Sequence, residues 1–92
     1  MSTIYIQYED VARKGQEIMS RAQDILDFQA WLNQVVNVDM PEMWQGTGYE
    51  DFVAKVNDKA HYFTELHNLV EEIGAAVISR AEGYRDWDNG GR

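Results

Sequence analysis

The hydrophobic positions in the first third of the chain recur in steps of four and three. Ile4, Tyr8, Val11, Gly15, Ile18, Ala22, Ile25, Leu32 and Val36 keep this rhythm, and Gln29 is the one polar residue on the line. A second line, Ala12, Met19 and Leu26, runs beside it at intervals of seven. Such steps return to one face of an α-helix and predict a first helix over about 8–37. Past the midpoint, Tyr49, Val56, Phe63, Val70, Val77 and Tyr84 recur every seventh residue. Phe52, Leu66 and Ile73 form a companion line, interrupted by Lys59 and extended by Arg80. Val53, Ala60, Gly74 and Ala81 add small residues that allow close helix approach, and a second helix is predicted over about 48–84. At 1.5 Å per residue the two helices would be about 45 Å and about 55 Å long.

Residues 38–47 between them read as a turn. It holds Pro41, the only proline, and the stretch Trp44-Gln45-Gly46-Thr47-Gly48. Gly46 and Gly48 would permit positive backbone dihedrals or close approach. Thr47 with Glu50 three residues on fits a capping box at the start of the second helix. Trp44 and Trp31 are the expected apolar plugs at the closed end. Beyond Tyr84 the pattern is lost, so residues 85–92 are expected to form a flexible tail, with Trp87 out of place in it.

The predicted fold is all-α, a helix-turn-helix hairpin of two long antiparallel helices spanning 1–84. Its apolar faces are three positions wide, more than one neighbouring helix covers. The expectation is dimerisation into a four-helix bundle, with Val56, Phe63, Val70 and Val77 of the second helix and Ile18 and Ile25 of the first in the seam. Glu9–Arg13, Asp10–Lys14 and Glu17–Arg21, each acid four residues before its base, would lace the outer face.

Charge and composition narrow the function. Sixteen acidic residues against eight basic ones give a net charge of −8, which argues against nucleic acid and against an anionic membrane surface as partners. There is no cysteine, so disulfides, thiolate metal sites and cysteine nucleophiles are excluded. No apolar run approaches the roughly 18 residues that would predict membrane insertion. The N-terminal stretch lacks the basic and apolar regions of a conventional signal peptide.

Catalytic chemistry finds little support. His61 and His67 are six residues apart, about 240° around a helix, whereas zinc ligands on one helix stand three or four apart. Both are read as solvent-facing or capping. The adjacent acids Glu71 and Glu72 have no cleft to separate their pKa values. No glycine loop cradles a phosphate. The expectation is a protein that is not an enzyme and needs no metal or cofactor.

Trp44-Gln45-Gly46, placed between two long helices in a chain of 92 residues, resembles the WXG family of early-secreted-antigen-like proteins. Gly48, a small residue two after the glycine, and Phe52, eight after the tryptophan, fit the same pattern. Tyr84 with Asp88 four residues later resembles that family's C-terminal Tyr-x-x-x-Asp/Glu export signal. The resemblance implies a hairpin that dimerises antiparallel and leaves the bacterial cytoplasm folded, without a cleavable signal peptide, through a type VII secretion system. It also implies recognition by a membrane-bound ATPase of the FtsK/SpoIIIE type. Trp44 and Gly46 would form the turn, and Tyr84, Asp88 and Trp87 the recognised tail beside the partner's turn. The expected partner is a second copy of the chain, or else a related helical hairpin or the N-terminal helices of a toxin. In an alternative role, the protein would escort such a toxin to the machine.

Overall fold

The computed structural model describes residues 6–90, which are helical with no strand. Helix α1 spans Tyr8–Gln34 and runs on into a π-helical turn, Val35–Asp39, and a 3₁₀ turn, Met40–Glu42. The chain reverses over residues 43–46 and returns as α2, Thr47–Lys59, and α3, His61–Gly90. The α1 helix packs along α3. The resulting hairpin measures 70 × 20 × 18 Å, with a radius of gyration of 21.0 Å, against about 12 Å for a compact chain of this length. No described helix is long and apolar enough to cross a membrane.

Among the described residues, only small ones are fully buried where α1 meets α3: Gly15 and Ala22 on one helix, Gly74 and Ala81 on the other. A Cβ on Gly15 would stand 2.6 Å from Ile78 Cγ1 and 2.9 Å from the Gly74 carbonyl oxygen, so the backbones meet almost directly. Towards the reversal Val36 is the buried residue, with no exposed surface. Phe28 and Phe63 bridge the helices between these regions, ring centres 5.9 Å apart.

The helices depart from their expected bounds in three places. Regular α-helix ends at Gln34 rather than at residue 37, because the widened turn that follows turns the Val36 carbonyl to the Tyr49 hydroxyl, which donates to it. Pro41 has no N–H with which to continue the ladder, and the Met40 carbonyl accepts the amides of Met43 and Trp44 at 2.9 and 2.8 Å. The second helix is broken at Ala60 without a proline or glycine. There the Ala60 amide donates to Asn57 and its carbonyl accepts from the Phe63 amide. The Gln29 side-chain amide also reaches that carbonyl, at 3.4 Å across the hairpin, so the one polar residue on the α1 line gives it a second donor. Finally, residues 85–90, expected as a flexible tail, continue α3 to Gly90. Nothing before Asn89-Gly90 breaks a helix, and Arg85 pairs with Glu82 at 4.0 Å and Asp86 at 3.4 Å. Ile4 and Arg92 lie outside the described residues.

The outer ion pairs form in a different register from the one expected. Arg13–Asp10, Lys14–Glu17 and Arg21–Asp24 stand at 2.7, 3.1 and 3.2 Å, each three residues apart. All are solvent-exposed, so each contributes a few tenths of a kcal/mol.

Candidate functional site

The reversal is built on Gly46. Its φ of 113° and ψ of −175° lie in a region essentially reserved for glycine, and it is the only described residue with positive φ. Gly46 is the N-cap of α2, and its carbonyl accepts the Glu50 amide at 3.1 Å. The capping box does not form: Thr47 is already the first helical residue and no side chain caps the end. Glu50 instead lies in the first turn, where a carboxylate favours the helix dipole.

Trp44 packs on α2 rather than plugging the gap between helices. Its ring centre is 5.5 Å from those of both Tyr49, edge-on, and Phe52. Gly48 sits inside the first turn of α2, where a Cβ would meet the Trp44 indole at 3.8 Å. The tryptophan, the glycine two residues on, the small residue after it and the phenylalanine therefore make one local cluster. Tyr49 ties that cluster to the π-helical turn through its bond to Val36. Trp44 remains 41% exposed, and Met43 and Val38 are more exposed still. Trp31, expected as a second plug, projects from the flank of α1 and stacks on Phe28 at 5.7 Å. The seam position next to it is Leu32.

Tyr84, Trp87 and Asp88 occupy the last turns of α3. Tyr84 is 40% and Trp87 70% exposed, and with Ser79, Arg80 and Gly83 they line one shallow groove. Asp88 is half-buried. One end of the hairpin thus carries the W-x-G turn and the other the Tyr-x-x-x-Asp residues, and a single chain does not bring them together.

Val56, Phe63, Val70, Val77, Ile18 and Ile25, expected in a dimer seam, are half-buried within the hairpin itself. The large apolar side chains left open are their neighbours. Tyr62, Leu66, Leu69 and Ile73 form a stripe on α3, each about half exposed, and Phe28 and Trp31 stand exposed on α1. This stripe escaped a reading by the strongest seven-residue line, although Leu66 and Ile73 already marked it in the companion line. His67 is another departure: it is half-buried on the packed face, with Nδ1 3.0 Å from Asn68 Oδ1 and 3.6 Å from Glu71. It lies four residues after Phe63 and three before Val70, which puts it on their face. His61 is exposed against the Tyr62 ring, as a solvent-facing residue should be. Among the described residues no group of three or more His, Asp or Glu side chains is arranged to hold a metal.

No solved structure matches the chain. The family model described as "Proteins of 100 residues with WXG" matches residues 3–89, which takes in both the turn and the C-terminal helix. The chain therefore belongs to the WXG100 family, a family of secreted helical proteins associated with type VII secretion.

Proposed function

We propose that the protein is a small type VII secretion substrate that works by protein–protein contact, exported as a folded hairpin packed against a second hairpin. One observation carries this reading beyond family membership. The Trp44 turn and the Tyr84–Asp88 segment are both accessible, yet they stand at opposite ends of a 70 Å rod. Antiparallel packing of two hairpins sets the turn of one beside the C-terminal helix of the other, and creates a composite surface that neither unfolded chains nor isolated hairpins possess. An FtsK/SpoIIIE-type ATPase reading that surface would select assembled cargo without a cleavable signal. Trp44 and Gly46 shape the turn half of the signal; Tyr84 and Asp88, with Trp87 as an apolar contact, supply the other half.

The chain's surface supports the pairing. Its accessible area is 7096 Å², against about 5,500 Å² for a compact monomer of this mass. The test is export of Tyr84→Ala and Asp88→Ala from cells with an active type VII system, measured as the ratio of protein in medium to protein in cells. Both variants keep wild-type helicity and accumulate inside. Normal secretion of both overturns the reading.

A further inference from the structure

The α2 helix is held differently from the rest of the hairpin. Gly15 and Gly74 bring the α1 and α3 backbones almost into contact. By contrast α2 contains no fully buried residue, and its backbone hardly approaches that of α1. Its inner end meets α3 through Ala60, whose amide donates to Asn57 at 3.2 Å and whose carbonyl accepts from Phe63 at 3.1 Å. Both bonds span three residues, the tighter 3₁₀ pattern, which inside a longer helix marks a hinge or local strain. Ala60 keeps helical dihedrals, φ −58° and ψ −33°, so the joint leaves the path of the chain intact. The outer end of α2 meets residues 35–46, which are π-helical, 3₁₀ and irregular in turn. A helix of 13 residues therefore lies between two irregular joints.

The polar interactions that cross from α2 and its inner joint to the first arm sit at these two joints. At the inner one the Gln29 side chain donates to the Ala60 carbonyl at 3.4 Å, which holds the pivot against α1. At the outer one the Tyr49 hydroxyl donates to the Val36 carbonyl. Among the described residues no ion pair joins α2 to α1. Phe52, Val53 and Val56 are half-buried, and apolar contact of that kind is non-directional. Trp44 packs on Tyr49 and Phe52, so the aromatic cluster belongs to α2 and travels with it. Tyr49 and Ala60 are eleven residues apart, about 16 Å along a helix. A tilt of about 10° at Ala60 carries Tyr49 through about 3 Å, more than its hydrogen bond tolerates.

We infer that α2 is a rigid arm that swings about Ala60, pinned there by Gln29 and latched at its far end by the Tyr49–Val36 bond. Opening the latch releases the arm with its helix and the Trp44 cluster intact. The W-x-G turn is borne on this movable part, and its angle to the clasped α1 and α3 is a variable that a partner gripping Trp44 selects. The inference concerns the motion of this chain alone, so it stands or falls independently of the export reading.

Distance measurements on the full chain test it. The chain has no cysteine, so introduced pairs carry spin labels without further change. Asn33→Cys with Asp51→Cys reads the arm against α1, and Ser20→Cys with Glu65→Cys reads the clasp; all four positions are exposed. Pulsed electron spin resonance on labelled chain diluted into unlabelled chain reports distances within one molecule. The clasp pair gives one narrow distribution, whereas the arm pair adds a second, longer population. Tyr49→Phe keeps the ring and removes the donor of the latch. It raises the ratio of open to latched arm about fivefold, while the clasp pair and the far-ultraviolet circular dichroism stay as in wild type. An arm pair that does not respond to Tyr49→Phe overturns the inference. So does a loss of helicity in step with the longer population, since α2 then melts instead of swinging.

Discussion

The contact between Gly15 and Gly74 sets the width of the hairpin, and a pair of alanine substitutions measures how much depends on it. Alanine in place of glycine in a helix interior gains about 1 kcal/mol from propensity alone. At Gly83 an added Cβ meets nothing within 4 Å, so Gly83→Ala keeps most of that gain and stabilises by about 0.5–1 kcal/mol. At Gly74 the same Cβ would stand 2.7 Å from the Gly15 carbonyl oxygen and 3.0 Å from the Met19 amide nitrogen. Both are backbone atoms, and backbone atoms withdraw only if α1 moves as a body. That movement also loosens the contacts of Ala22 and Ala81, which are 1% exposed in the native packing. Overpacking costs about 1–3 kcal/mol, and rigid backbone neighbours put Gly74→Ala in the upper part of that range, so that it is less stable by up to about 2 kcal/mol once the propensity gain is subtracted. With a shift of about 4–8 °C per kcal/mol for a domain of this size, the two variants should melt on opposite sides of wild type. Circular dichroism melts at one low protein concentration, which holds association constant, give the comparison. Gly74→Ala melting at or above wild type would refute the close approach of the two backbones.

Four further substitutions probe the turn and the break. Gly46→Ala forces a side chain into φ 113° and should lower stability by about 1–3 kcal/mol, whereas Gly48→Ala, whose Cβ makes an ordinary 3.8 Å contact with Trp44, should be neutral or slightly stabilising; urea denaturation separates them. Tyr49→Phe keeps the ring against Trp44 but removes the donor to the Val36 carbonyl, with an expected loss of about 1 kcal/mol and faster hydrogen exchange confined to residues 35–42. Gln29→Leu leaves the Ala60 carbonyl without its cross-hairpin donor; exchange at residues 57–63 should rise while α1 remains protected, and unchanged exchange there would remove Gln29 from the account of the break.

Much of this architecture was legible in the order of residues because it follows from spacing. Steps of four and three from Tyr8 to Val36, and of seven from Tyr49 to Tyr84, state the two helical arms directly. One proline with two glycines between them states the reversal. Gly46 and Gly48 both stand out as residues able to take a positive dihedral, but which of them does so is decided by the fold, and it is Gly46. Less legible was everything decided by contact across the hairpin. Gln29 is a polar interruption of an apolar line by spacing alone, and only the break at Ala60 brings a carbonyl within reach of its side chain. Trp31 was indistinguishable from a core residue by size alone, since a difference of one position from Leu32 moves a side chain from the seam to the flank. His67 departs in the opposite direction: its polarity suggests solvent, while its place between Phe63 and Val70 leaves it half-buried. The end of α3 is hard to read from the order of residues because the apolar periodicity stops before the helix does; a helix end that leaves its neighbour needs no apolar face to remain helical.

The same geometry bears on how the hairpin survives alone. Ala22, Val36 and Ala81 are the only hydrophobic residues fully buried among those described, while eleven large apolar side chains are exposed. Alanine buries little area, so the contact that brings α1 and α3 together contributes less apolar burial than a core of leucines would. The glycines that permit close approach also raise the conformational entropy cost of each helix. Two of the terms that stabilise a helical domain are therefore weak in the isolated chain, and the largest reserve of burial lies in the open stripe from Tyr62 to Ile73. A partner covering that stripe stabilises the folded hairpin in proportion to its concentration over the dissociation constant. Folding and pairing are then one linked equilibrium, in which a partner's affinity for the stripe also sets the fraction of the chain that is folded.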